Sequence, residues 1–352
     1  MLTKNSYVAL DNFMKSVKYI KGNNLKRLWT MFERVSIDYS IVRINDIQKK
    51  VSYQSLDSEI YIDENLKKEI TILSNYREIT IQSGKHRFNF HIYYDKKDKL
   101  DLLVDTLAYA LVFTKELTDN QPRNITIKFY LLDTKRVFDG DSILDKEEVN
   151  GGACWSTPTD CDITIWRKEE IIKVAIHELI HGLSYDYKQD SSEIIQHYRN
   201  KYSISSEKMN TFEGYTEIFA ELIHSYLLSR LINSLYPKLD GYLLFQTFVA
   251  IEIEFSKIQA SKVLYLKDTN SDVNKHTNVA AYYLIKTELY NDLDNFLNYC
   301  IHHNKDIIKM KDTTKYFDYL KKLKAVDKKK MNVQSNYILN TTRMTCLELD
   351  LF

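Results

Sequence analysis

Apolar residues change period several times along this chain, and each change predicts a different element. Val8, Phe13, Val17 and Ile20 mark one amphipathic helical face, and Leu25, Leu28, Met31, Phe32 and Val35 mark a second. Residues 1–75 therefore read as mostly helical. From 78 to 94 the period shortens. Ile79 and Ile81, then Phe88, Phe90, Ile92 and Tyr94, alternate with polar residues around Ser83-Gly84, which predicts a β-hairpin. A helix over about 100–117 follows, and Ile125, Ile127 and Phe129 then alternate as a strand. Asp139-Gly140-Asp141 predicts a turn within a loop that runs to Gly151-Gly152. Ala153 to Ser156 reads as a short edge strand, and Ile163-Thr164-Ile165-Trp166 as a compact strand feeding a helix over about 168–184. Helical spacing continues beyond it, over about 191–200, 212–236, 240–260, 276–300 and 312–323. Residues 331–352 fit an ordered cap, a flexible end or a binding tail. Helices, a small sheet, a helix and then a helical half make the fold class α+β.

The helix over 168–184 carries His177-Glu178-Leu179-Ile180-His181, an H-E-x-x-H motif. Residues four apart share a helix face, so both imidazoles point the same way and reach one tetrahedral Zn²⁺. Glu178 projects beside the first ligand, where it can take a proton from zinc-bound water. The motif is short, so its context matters. Glu169 and Glu170 put acids at the start of the helix, where its dipole favours them. Ile172, Ala175, Ile176, Leu179, Ile180 and Leu183 recur at helical spacing, which makes this a buried helix. Gly182 falls where such a helix bends or ends. A buried Glu without a partner is costly, and metal-bound water or substrate supplies one.

Composition narrows the remaining classes. With 352 residues the chain holds one large domain or two smaller ones. A formal net charge of +1 points away from nucleic acid or a membrane surface as the main partner. No apolar run has the length of a membrane span, and the N-terminus lacks the charged-then-apolar pattern of a secretory leader. A soluble cytoplasmic protein is the expectation. Cys154, Cys161, Cys300 and Cys346 make no Cys-x-x-Cys pair, which disfavours a zinc ribbon. Cys154 and Cys161 fit a disulfide or two reduced thiols. The run Lys328-Lys329-Lys330 reads as a solvated surface.

A catalytic zinc needs three protein ligands and one open position. The region after the motif that offers one is Asn210 to Glu221, where Glu213, Glu217 and Glu221 stand four apart on one helical face. That face supplies one ligand and one carboxylate able to hold a ligand in place. Asn210-x-x-Glu213 also fits a capping box, which would make Glu213 a helix-start residue only.

His177 to His181 followed by Glu213-Gly214-Tyr215-Thr216-Glu217 resembles the gluzincin metallopeptidases. The resemblance implies a zincin-like fold over residues 96–330, with a small mixed sheet, the H-E-x-x-H helix and a mainly helical C-terminal half. Residues 1–95 then form an N-terminal accessory region and 331–352 a C-terminal tail. By that match one Zn²⁺ per chain is held by His177, His181 and Glu213, with Glu217 supporting a ligand and Glu178 as catalytic base. A second register, Glu217-Ile218-Phe219-Ala220-Glu221, resembles the anthrax lethal factor type, in which Glu217 is the ligand and Glu221 the support. The Glu-Gly resemblance favours Glu213. The His-Glu-Leu-Ile-His wording also resembles clostridial neurotoxin light chains, and the metzincin continuation is absent.

The same resemblance implies a polypeptide substrate lying along the edge strand at Ala153, Cys154 and Trp155, entering between a sheet half and a helical half. Tyr282, Tyr283 and His276 are candidates for oxyanion or substrate contacts. An endopeptidase is expected, since no second acidic motif offers to bind a free N-terminus. Two alternatives stay open: a zinc hydrolase of a non-peptide amide, and an inactive zincin-fold structural or binding protein. Scarce Gly (8) and Pro (3) with abundant Tyr (26) resemble translation from an AT-rich genome. A viral protein, a peptidase of a large DNA virus acting in host cytoplasm or virion, is the origin expected.

Overall fold

Among the described residues the strands form one mixed sheet of six. They are β1 (Val42–Lys50), β2 (Asn75–Ser83), β3 (His86–Tyr94), β4 (Asn124–Tyr130), β5 (Gly152–Ser156) and β6 (Asp160–Ile165). The computed structural model describes all residues except 36–40, 52–55, 57–61, 85, 96–99, 119–123, 139–143, 145, 188, 270–272 and 329–334. The expected turn at Asp139-Gly140-Asp141 and most of the Lys328-Lys329-Lys330 run lie outside the described residues. The chain divides into two units, each assembled from segments distant in sequence.

The first unit comprises residues 35–135, 151–184 and 351–352. Its strand order is β1-β2-β3-β4-β6-β5. The expected hairpin is present, with Ile79 opposite Phe90 and Ile81 opposite Phe88. β3, β4 and β6 run parallel, and β5 returns antiparallel along β6. Ile79, Ile81, Phe88, Phe90, Ile127, Phe129 and Ile163 are all buried, as the side chains of one pleat face should be. Helix α4 (Asp101–Glu116) packs against α6 (Ile171–Gly182), and α6 also packs on β5 and β6. The expected acids at the start of α6 lie just before it: Glu170 is its N-cap, with φ at +59°.

Residues 1–75 are less helical than the sequence predicts. Helices α1 (Lys4–Phe13), α2 (Asn24–Glu33) and α3 (Glu64–Ile70) form, but Val42–Lys50 is strand β1. β1 is a sheet-edge strand with every residue but one exposed, so neither of its faces shows the alternation that marks a half-buried strand.

The second unit comprises residues 1–34, 136–150 and 185–350 and is helical. Besides α1 and α2 it holds α5 (Lys146–Val149), a single turn within the stretch expected as loop. Then come α7 (Ser192–Tyr202), α8 (Thr211–Leu235), α9 (Gly241–Thr269), α10 (Lys286–Asn291), α11 (Leu293–His303), α12 (Thr313–Leu320) and α13 (Asn336–Asn340). The single helix expected over 276–300 is three pieces. A π-helical turn spans Ala280–Ile285 and closes with the Lys286 N–H donating to the Ala281 carbonyl, five residues back. Asp292 then leaves the helical conformation between α10 and α11. Among the described residues no helix is long and apolar enough to cross a membrane.

The tail after α13 is an ordered cap. Leu228, Phe248, Ile251 and Phe255 pack with Ala9, Phe13, Ile338, Cys346 and Leu347 in one apolar cluster. Buried side chains hold the tail's backbone. Gln259 Nε2 donates to the Arg343 carbonyl at 2.9 Å and Lys286 Nζ to that of Met344 at 2.8 Å. Glu252 accepts the N–H groups of Cys346 and Leu347 at 3.0 Å each. Leu349 pairs with Leu2.

Glu288 is buried in the same unit and accepts from Lys201 Nζ at 2.7 Å, Tyr198 at 2.9 Å and Tyr202 at 2.5 Å. Burial outweighs the pull of the Lys201 ammonium and pushes the Glu288 carboxyl from 4.5 up to about 7. A carboxyl that binds its proton more tightly when folded favours the folded state in acid. That contribution is present below about pH 4.5 and is lost as the pH rises to about 7, on the order of 3 kcal/mol at most. Urea midpoints measured across this interval are expected to fall with rising pH in the native protein. The fall should be shallower in Glu288→Gln, and parallel curves would contradict the assignment.

Candidate metal centre

Helix α6 puts the three motif side chains in place. His177 and His181 are one turn apart, and their Nε2 atoms lie 3.0 Å from each other. Their rings meet edge to face, with centroids 4.7 Å apart. His177 and Glu178 are buried and His181 is half-buried. Helical spacing brings the rings to one face, and an almost wholly buried helix holds them there.

The neighbouring strand shapes the space around Glu178. Gly152 opens β5, and a Cβ at that position would lie 2.8 Å from Val174 Cγ1 and 2.9 Å from both Cγ and Oε1 of Glu178. Only a residue without a side chain lets the β5 backbone come this close to the carboxylate. β5 is the last strand of the sheet, with Ala153 opposite Thr164, Cys154 opposite Ile163 and Trp155 opposite Asp162. Trp155 is 53% exposed, so this edge presents a large aromatic surface to solvent. Cys154 and Cys161 are not joined by a disulfide, and their sulfurs lie 3.9 Å apart.

Glu213, Glu217 and Glu221 all lie on α8, as their spacing predicts, but in different surroundings. Glu221 is sealed inside, with Lys286 Nζ at 2.5 Å and the Tyr290 hydroxyl donating at 2.7 Å. Glu217 is equally buried. Glu213 is half-buried in the first turn and accepts a hydrogen bond from Asn278 Nδ2 at 3.1 Å. The capping box is not formed by Asn210, whose side chain makes no cap bond. Asp190 caps α8 instead, accepting the Thr211 N–H at 2.9 Å and the Thr211 hydroxyl at 2.8 Å.

Ligand atoms of His177, His181 and Glu213 lie within 4.8 Å of one another and form a group that could hold a metal ion. Two imidazole nitrogens and a carboxylate oxygen suit zinc. Three protein ligands with a fourth position left to water are the usual make-up of a catalytic zinc site.

The other residues expected at the site are His276, Tyr282 and Tyr283. His276 is exposed and Tyr282 half-buried. Tyr283 is buried, and its hydroxyl donates to the Thr342 carbonyl at 2.5 Å, within the helical unit. Two residues that the spacing of the motif did not point to are Gly152, against Glu178, and Asn278, on Glu213. Neither has a local signal, since each meets its partner through the fold. No protein-family model, curated protein or solved structure matches the chain.

Gly152→Ala forces a methyl against Val174 and Glu178. The substitution is expected to cost about 1–3 kcal/mol, the range for overpacking a filled interior. A lower urea midpoint checks it, and an unchanged midpoint would show that β5 moves away without strain.

Proposed function

We propose that this chain is a zinc metallopeptidase of the gluzincin type with a zincin-like fold, hydrolysing peptide bonds within polypeptides. One observation carries the reading: His177, His181 and Glu213 present a three-ligand set, and the carboxylate of Glu178 is on the same helix as two of them. Zinc, when bound, supplies Lewis acidity that lowers the pKa of water and polarises a carbonyl. His177 and His181 would hold the ion through ring nitrogens, and Glu213 would complete the set through its carboxylate. Glu178 acts as general base, accepting a proton from the attacking water and passing it to the leaving amine. Glu178 is buried, and the Gly152 backbone lies close beside its carboxylate.

The edge of β5 supports a peptide substrate. β5 ends the strand order of the sheet, the position at which an extended chain joins a sheet by strand addition. An extended segment running past the edge fits an endopeptidase. Trp155, exposed on that strand, offers a surface for a substrate side chain.

Elemental analysis should find about one zinc per chain in the native protein and none in His181→Ala. Glu178→Gln should keep the metal and lose about 10²–10⁴-fold in the cleavage rate of a fluorogenic peptide library. Native protein that takes up no zinc after refolding with the metal would refute the reading. Zinc-loaded protein whose activity survives Glu178→Gln would refute the role of Glu178.

A further inference from the structure

We propose that Asn278 is a positioning residue for Glu213, holding that carboxylate for one-oxygen metal binding; this rests on the metal-site reading above. Asn278 Nδ2 donates to Glu213 Oε1 at 3.1 Å. The direction of the amide is fixed from its other end. Asn210 Nδ2 donates to Asn278 Oδ1 at 2.7 Å, so the Asn278 oxygen faces Asn210 and its NH₂ faces Glu213. A reversed amide would set two NH₂ groups against each other and an oxygen against the carboxylate.

The parts of this relay are otherwise spared. Asn210 sits at the N-cap of α8, where its side chain would ordinarily accept from the helix. Asp190 does that work at Thr211, and Asn210 is released to orient Asn278. Asn210 has φ at +48°, a left-handed conformation that Asn tolerates better than most residues.

The segment carrying Asn278 is braced. Asn274 Oδ1 accepts from the Ala280 N–H at 2.8 Å, and Asn274 Nδ2 donates to the Lys208 carbonyl at 2.9 Å. Thr277 Oγ1 donates to Asn150 Oδ1 at 2.7 Å. The π-helical turn follows immediately, and it comes against α8 at Gly214, the residue after Glu213. A Cβ there would stand 3.0 Å from both the Ala281 carbonyl oxygen and Ile285 Cγ2. A π-helical turn shifts the side chains around it relative to a regular helix and recurs at functional sites. Here it begins two residues after Asn278, which holds the carboxylate.

The chemistry follows from how carboxylates bind zinc. A carboxylate with one oxygen engaged by an amide donor is restrained from swinging to chelate with both. Ligand carboxylates held by outer hydrogen bonds are a general feature of metal sites, and loss of such a bond typically weakens the metal 10–100-fold. Asn278→Ala removes the donor and leaves all three ligands in place.

The test is zinc affinity by competition with a chromophoric chelator, together with the visible absorption of the cobalt(II)-loaded protein. Native protein, Asn278→Ala and Asn210→Ala are compared, with urea midpoints of the metal-free forms alongside. Asn278→Ala should bind zinc about 10–100-fold more weakly and change the shape of the cobalt spectrum. Its metal-free urea midpoint should stay close to native. Asn210→Ala, which frees the amide without removing it, should move affinity and spectrum the same way by less, and it serves as the test if Asn278→Ala does not fold. Native zinc affinity and an unaltered cobalt spectrum in the folded variants would overturn the proposal while leaving the metal site standing. A lowered metal-free midpoint with an unaltered spectrum would make Asn278 structural only, which also overturns it. A native protein that binds neither metal would remove the metal site itself and this inference with it.

Discussion

Lys286 and Glu221 are both sealed from solvent, and the 2.5 Å contact between them organises the helical unit. An ammonium and a carboxylate removed from water are tolerable only together, and removing one partner from such a pair typically costs 3–5 kcal/mol. Burial opposes the charge on Lys286, yet Glu221 and Glu217 hold its pKa above the ordinary lysine value. The pair then recruits neighbours. Tyr290 donates to the second oxygen of Glu221, and Lys286 reaches the Met344 carbonyl. Helices α8 and α10 and the C-terminal tail are thereby tied at one point. α8 can carry Glu217 and Glu221 through an apolar interior because of this arrangement, and Glu213 sits at the exposed end of the same face.

The sheet unit meets the opposite demand. Its helix α6 is apolar on nearly every side, so the two imidazoles and Glu178 are exceptions in a packed surface. Apolar packing leaves those side chains few alternative rotamers, which is what a site requiring fixed geometry needs. Gly152 extends this control to the strand, since the β5 backbone itself forms one wall beside Glu178. The motif supplies two imidazoles and a carboxylate, and the strand beside it sets how much room Glu178 has.

Legibility followed the physics of each element. β2, β3, β4 and β6 were readable because one pleat face is buried, so apolar residues fall at every second position. β1 was not, because an edge strand exposed on both faces carries no such signature. α6 and α8 stood out by apolar periodicity and by residues four apart. The region 276–300 kept helical spacing overall, and a single added residue in the π-helical turn does not disturb that spacing enough to be seen. His177, Glu178, His181 and the row of glutamates were legible because helices bring near neighbours together. Asn278 was not, since 65 residues separate it from Glu213. Asn210 was read for its commonest local use, whereas Asp190, about twenty residues away, takes that role.

The antiparallel bridge between Leu2 and Leu349 sets an order for biosynthesis. α1 precedes α9 by more than 200 residues, and the apolar cluster they share is finished only by Ile338, Cys346 and Leu347. Until those residues are available, Phe248, Ile251 and Phe255 lack part of their cover and Glu252 lacks the N–H groups it accepts. Contacts spanning nearly the whole chain are slow to form, because loop closure is unfavourable until they are made. The sheet unit needs only two late residues, 351–352, and everything else in it is complete by residue 184. The nascent chain thus has a folded sheet well before it has a finished helical unit, and the interval between the two is when a chaperone would find exposed apolar surface to bind.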